Sequence, residues 1–312
     1  MATANRFAFF NGEFVPIEQA NVSVMTTALH YGLGVFEGIR AYWNPDEQQL
    51  FVFQLREHME RLKRSCKIMF MDLPYSVDQL CETTLELLRR EEFRQDVYIR
   101  PLVFKSDTSI AVKLNGMTDS YVLFAMPVGQ YIPGAGIRAC VSTWRRIEDN
   151  IMPSRAKVSG GYVNSALAKT EALLNGYDEA IVLGGDGHVS EASAANMYIV
   201  RHGALVTSPI TSDVLEGITR RVVAELGRAE LGMPVEERPI DRTELYVADE
   251  AFFCGTGAEI KPVVEIDRRP IGTGEVGPVA GRLVSLYDDV VRGKVAAYRG
   301  WCTPVYSGSA QS

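Results

Sequence analysis

Residues 154–165 read SRAKVSGGYVNS and carry Lys157, one of only eight lysines against twenty-four arginines. Paired glycines beside it let backbone and ligand approach closely. The amine is either a solvated surface charge or a nucleophile kept for chemistry. A second candidate is Glu191 in HVSEASAAN, a carboxylate among serines and alanines. It suits a hydrogen bond to a ligand nitrogen, or a turn cap. In TSDVLEGITRR, residues Gly217, Ile218 and Thr219 open an amphipathic pattern. That is either an ordinary capped helix or a helix start whose N–H groups meet a phosphate. FFCGTGAE ends a strand in Gly255-Thr256-Gly257, which is a simple turn or a second place for an anion.

Together, an amine, a carboxylate and two phosphate-compatible backbone sites match pyridoxal 5′-phosphate. That cofactor needs a lysine for its aldehyde, a partner for its protonated ring nitrogen and donors for its phosphate. Competing signals are weaker. Gly272-Thr-Gly274-Glu-Val-Gly277 fits GxGxxG, but DRRPI precedes it and Pro278 follows. The context predicts a glycine-rich loop leading into a helix, not a dinucleotide fingerprint. No Walker A sequence, HExxH or CxxC occurs, and the metal expectation is none.

The elements that must position these residues follow from periodicity. FAFFNGEFVP carries an Asn11-Gly12 hairpin signal, and GIRAYWN and QLFVF read as strands. LREHMERLKRSCKIM places Leu55, Met59, Leu62, Cys66 and Met69 on one helical stripe. Ser76 with Gln79 forms a capping-box signature for the next helix. DVYIRPLVF and SYVLFAMPV follow as strands. GQYIPGAG interrupts the pattern, so the predicted organisation is a small α+β domain (1–128), an interdomain loop (129–136) and a larger domain (137–312). In the latter, strands and helices alternate until a last helix, PVAGRLVSLYDDVVRG, and a tail. The formal net charge of −7 argues against general nucleic-acid or anionic-membrane binding. No apolar run reaches a membrane span, the N-terminus lacks a signal-peptide pattern, and five scattered cysteines fit reduced thiols. A cytoplasmic enzyme is the expectation.

The ordered set ALHYGLGVFEGIRAY, LREHMERLKRSCKI, YIRPLVF, PSRAKVSGGYVNS, GHVSEASAANMYIV, LEGITRR and ELYVADEAFFCGTGAEIKPV closely resembles fold-type IV pyridoxal-phosphate enzymes, specifically branched-chain amino-acid aminotransferases. The resemblance spans roughly residues 6–300. It implies a two-domain α+β and α/β fold, the larger domain holding a mixed sheet or pseudo-barrel with helices. It implies that Lys157 is the Schiff-base lysine and proton shuttle, Glu191 the ring-nitrogen partner and Tyr162 the partner of the phenolic oxygen. Arg56 is implied as a phosphate ligand, with Leu215, Gly217, Ile218, Thr219 and Thr256 as further cofactor contacts. Tyr31, Phe36, Tyr98, Arg100, Tyr131, Thr256 and Gly257 are implied on the substrate side, Tyr31 from across the dimer interface of a homodimer or higher homo-oligomer.

The implied reaction exchanges the amino group of leucine, isoleucine or valine with 2-oxoglutarate by a ping-pong route, as in branched-chain amino-acid biosynthesis. Two departures bear on substrate range. The stretch after YIRP, Ser106 to Val112, lacks the usual glycine, and SEASAAN replaces the usual glycines near Glu191. A D-amino-acid or (R)-amine transaminase, or aminodeoxychorismate lyase, of the same fold is therefore the alternative. A non-catalytic binding module is disfavoured by retention of both Lys157 and Glu191.

Overall fold

The computed structural model describes residues 6–129 and 134–306, so Tyr131 and the middle of the 129–136 connection lie outside the described residues. Contacts divide the chain into two compact units. One comprises residues 1–129, 156–160 and 288–312, and the other 130–155 and 161–287.

In the first unit, β1 (Phe7–Phe10) and β2 (Glu13–Pro16) form the expected hairpin. Asn11 and Gly12 turn it with φ of 48° and 104°, the positive values that this dipeptide tolerates. Then come α1 (Thr27–Tyr31), β3 (Gly34–Phe36), β4 (Ile39–Asn44), β5 (Gln49–Phe53), α2 (Leu55–Ile68), α3 (Val77–Glu91), β6 (Val97–Lys105) and β7 (Asp119–Pro127). Strand order is β5-β4-β6-β7-β1-β2, with β3 also on β6. Helix α2 buries Leu55, Met59, Leu62 and Cys66, the predicted stripe. The Ser76 hydroxyl accepts from Gln79 N and the Gln79 side chain accepts from Ser76 N, completing the capping box of α3.

The second unit contains β8 (Ile137–Arg145), α4 (Tyr162–Leu174), β9 (Glu179–Leu183), β10 (Val189–Ala192), β11 (Asn196–Arg201), β12 (Ala204–Thr207), α5 (Ile218–Leu231), β13 (Val235–Glu237), β14 (Glu250–Gly255), β15 (Glu259–Ile266), β16 (Arg269–Pro270) and α6 (Pro278–Val291), whose last turn enters the first unit. Its sheet runs β10-β9-β8-β15-β14-β11-β12-β13 and is mixed, since β8 is parallel to both β9 and β15. Pro262 argues against a central strand in the sequence. Strand β15 forms nonetheless, and its ladder to β8 begins at Val263, one residue past the proline.

The glycine-rich stretch 272–277 is a loop, with Gly272 and Gly274 at φ of 55° and 79°. It feeds α6, whose Val279 and Ala280 N–H groups donate to the Glu250 carboxylate of β14 at 3.0 and 2.8 Å. A carboxylate, not a nucleotide phosphate, satisfies this helix start. The expected tail after α6 is corrected. Residues Cys302–Pro304 pair antiparallel with β5 and close the first sheet's edge. Three residues are too few to show alternation; the free backbone edge of β5 recruits them. All five cysteines are free thiols. Among the described residues, no helix is long and apolar enough to cross a membrane.

Candidate active site

Lys157 belongs to a short segment that packs with the first unit. Its carbonyl accepts from Phe36 N at 3.1 Å, its N–H donates to Ser65 Oγ at 3.2 Å, and Val158 bridges Val35. The lysine backbone is thus fixed between β3 and α2. Its Nζ lies 5.3 Å from the Phe36 ring centroid, and the Arg100 guanidinium lies 4.3 Å from the same centroid. One aromatic ring is shared by an amine and a guanidinium.

Tyr98 and Arg100 alternate on β6 and face the same way. Arg100 Nη2 donates to the Tyr98 hydroxyl at 3.0 Å, while Arg100 Nε is buried without a hydrogen-bond partner among the described residues. A buried guanidinium N–H of that kind calls for an acceptor. Gly38 makes room for the pair, because a Cβ there would overlap the Tyr98 hydroxyl.

Arg56 is the α2 residue expected on a phosphate. Its side chain is 57% exposed and pairs with Asp78 of α3. The buried guanidinium on α2 is Arg61, which donates through Nε and Nη2 to Glu37 at 2.6 and 2.8 Å. His58 Nδ1 lies 2.7 Å from Glu37 Oε2. Burial would push the Glu37 carboxyl up, but Arg61 and His58 outweigh it and hold it well below the usual carboxylate range. Burial lowers the His58 pKa, partly offset by Glu37. Spacing alone does not distinguish the two arginines. At 3.6 residues per turn Arg56 lies about 100° from Leu55 on one flank of the apolar stripe and Arg61 about 120° from it on the other, so only the packing against each flank separates them.

The remaining cofactor candidates lie in the second unit. Glu191 is 4% exposed on β10, among buried Ser190, Ala192 and Ser193. Its Oε1 faces Arg146 Nη2 at 3.0 Å, and its Oε2 accepts from Asn196 Nδ2 at 3.0 Å and Leu215 N at 3.2 Å. Arg146 Nε also donates to Asp213 O at 3.0 Å. Sequence reasoning missed Arg146 and Asn196. The first is one of two adjacent arginines, Arg145 and Arg146, with nothing local to single it out; the second is the only amide in HVSEASAAN, a signal that was present. Leu215 enters through its backbone N–H, onto Glu191.

Gly217 is the N-cap of α5, with no side-chain cap on the N–H groups of Ile218 and Thr219, both buried. An uncapped buried helix start suits an anion. Thr256 and Gly257 form the turn between β14 and β15. Pairing of Asn196 with Cys254 sets that turn just beyond Asn196, and an added Cβ on Gly255 would meet Ala195 at 3.4 Å. Glu191, the 213–217 loop, the α5 start and the 255–257 turn therefore gather at one end of this sheet. Tyr162 is the first residue of α4, and Tyr31 the last of α1, 38% exposed.

The family model for amino-transferase class IV matches residues 34–266. The chain belongs to that family. This class IV chain is 51% identical to a probable branched-chain-amino-acid aminotransferase of Aquifex aeolicus, over 96% of this chain and 97% of the relative. Its fold matches the branched-chain aminotransferase of Thermoproteus uzoniensis solved with norvaline, at TM-score 0.93 and 44% identity, covering 97% of this chain and 100% of that one. It also matches the branched-chain amino acid aminotransferase of Thermobaculum terrenum solved in its PLP form, at TM-score 0.92 and 39% identity, covering 97% of this chain and 99% of that one.

Proposed function

We propose that this class IV chain is a pyridoxal-phosphate-dependent branched-chain aminotransferase, passing the amino group of leucine, isoleucine or valine to 2-oxoglutarate. The observation that carries the substrate side is the Phe36 ring shared by the Lys157 amine and the Arg100 guanidinium. An amine beside an apolar ring and a guanidinium whose buried Nε–H lacks an acceptor among the described residues suits an amino acid with a carboxylate and an aliphatic side chain.

The residues fit the cofactor by the chemistry of their donors: a half-buried amine, a buried carboxylate and an uncapped helix start. When bound, pyridoxal phosphate serves as an electron sink for the carbon bearing the amino group. Lys157 holds the cofactor and carries the proton removed from that carbon. Glu191 accepts from the ring nitrogen, and Tyr162 donates to the phenolic oxygen. Ile218 and Thr219 N–H groups, with Gly217, Leu215 and Thr256 shaping the site, hold the phosphate. Arg61, buried on the Lys157 side of α2, replaces Arg56 in our reading as the helix's anion-facing cation. Arg100 and Tyr98 orient the substrate carboxylate, with Gly257 and Tyr131 completing the substrate side.

The alternative (R)-amine reading is disfavoured because such donors have no carboxylate for Arg100. With 2-oxoglutarate as acceptor, L-leucine is expected to outperform (R)-1-phenylethylamine by at least ~10²-fold in kcat/KM, the scale set by leaving buried polar groups unpaired, and to outperform D-alanine as well. A donor panel checks this, and the reverse order rejects the L-branched-chain assignment.

The active form in this reading is a cytoplasmic homodimer. Val24, Met25, Leu29, Ile110 and Val112 are all exposed, Leu29 at 66% and Ile110 at 93%. Thr27 joins their segments, its N–H donating to Asp107 O at 2.8 Å and its hydroxyl to Asp107 O and Ser109 O at 2.8 and 3.1 Å. Such an apolar patch on one unit suits a self-complementary interface. The Leu29→Asp/Ile110→Asp double variant is expected to sediment as a monomer with at least ~10-fold lower activity, while wild type sediments as a dimer. A monomeric, fully active wild type removes the dimer reading.

A further inference from the structure

The Asn196 side chain stands between two parts of the second unit that a phosphorylated pyridine would need at a fixed separation. Its Nδ2 donates both to Glu191 Oε2 and to Leu215 O, at 3.0 Å each. On the other side, its Oδ1 occupies the space that a Cβ on Gly217 would take. Gly217 has φ of −68° and ψ of 129°, values open to any residue, so this glycine is required for room and not for backbone freedom. Asn196 itself is 5% exposed and starts β11, where pairing with Cys254 of β14 fixes its backbone.

We infer that Asn196 is a positioning residue that sets the Glu191 carboxylate relative to the start of α5, so that one amide fixes the distance between the ring-nitrogen partner and the phosphate donors. This rests on the reading of Glu191 as the ring-nitrogen partner. The amide is suited to the task because it has two N–H donors on one planar group. One N–H serves the buried Glu191 carboxylate and the other the part-buried Leu215 carbonyl. An aspartate there would have the same shape but no donors, and would set a second carboxylate against Glu191. An alanine would leave Glu191 and Leu215 O without that link while vacating the space beside Gly217.

The test uses the apo form of the full chain and three sets of variants, each checked by circular dichroism. Binding of pyridoxal 5′-phosphate is compared with that of its 1-deaza analogue, in which carbon replaces the ring nitrogen. Wild type prefers the natural cofactor, and Glu191→Gln removes most of that preference. Asn196→Asp and Asn196→Ala are expected to lower the preference by ~10-fold or more, the scale of outer-shell partners, with a smaller loss for the deaza analogue. Gly217→Ala is expected to do the same, because its Cβ displaces Asn196. In the Asn196→Ala background Gly217→Ala should add little further loss, since the clash is gone. Equal weakening of both cofactors by the Asn196 variants overturns the inference, as does full additivity of Gly217→Ala with Asn196→Ala. A Glu191→Gln variant that keeps the wild-type preference instead overturns the ring-nitrogen reading, and the inference with it.

Discussion

Replacing Lys157 by alanine is expected to lower transamination by at least ~10⁴-fold, because one side chain supplies both the covalent attachment and the proton transfer. The visible absorption of the lysine-linked cofactor should vanish with it, while the cofactor still binds through Glu191 and the α5 start. The fold should survive. The segment is held by main-chain bonds, Phe36 N to Lys157 O and Lys157 N to Ser65 Oγ, which alanine retains. Absorbance spectra, turnover with L-leucine and a thermal melt measure the three parts. A variant that keeps its colour and its turnover would return Lys157 to the surface-charge reading.

The second large effect falls on stability. Glu37 is fully buried and accepts two bonds from Arg61 and one from His58. Glu37→Gln keeps the shape but leaves a buried guanidinium without its counter-charge, so a loss of about 3–5 kcal/mol is expected at neutral pH. The pH dependence has a definite sign. A carboxyl held below its unfolded value, about 4.3, contributes stability above that pH and loses it as the pH falls toward the folded value. His58 acts in the same direction. Its lowered pKa means the unfolded chain binds the proton more readily, so stability falls as the pH drops below about 6.5. Urea unfolding of both proteins at pH 7, 5 and 3.5 should show the gap narrowing toward acid. A constant gap would mean that the carboxylate charge is not what stabilises this cluster.

Local elements were legible because short-range rules suffice for them. The Asn11-Gly12 hairpin, the Ser76–Gln79 capping box and the Leu55–Cys66 stripe each depend on residues within a turn or two of one another. Lys157, Glu191 and the α5 start were legible as types in a pattern, since an amine, a carboxylate among small residues and a glycine before a helix are visible one by one. The edge strand Cys302–Pro304 was not, because it is set by an unpaired neighbour more than 200 positions earlier in the chain.

The sequence alone determined most local elements, the family resemblance and which residue types stand as candidates for the site, because propensity, caps and side-chain chemistry are properties of neighbouring residues. Tertiary structure decided which arginine of α2 is buried, since that depends on what packs against each flank of the helix. It also decided what surrounds Glu191. Arg146, Asn196 and Leu215 come from three separate stretches, joined by strand pairing and a loop return, and their donor geometry exists only once those pairings have formed.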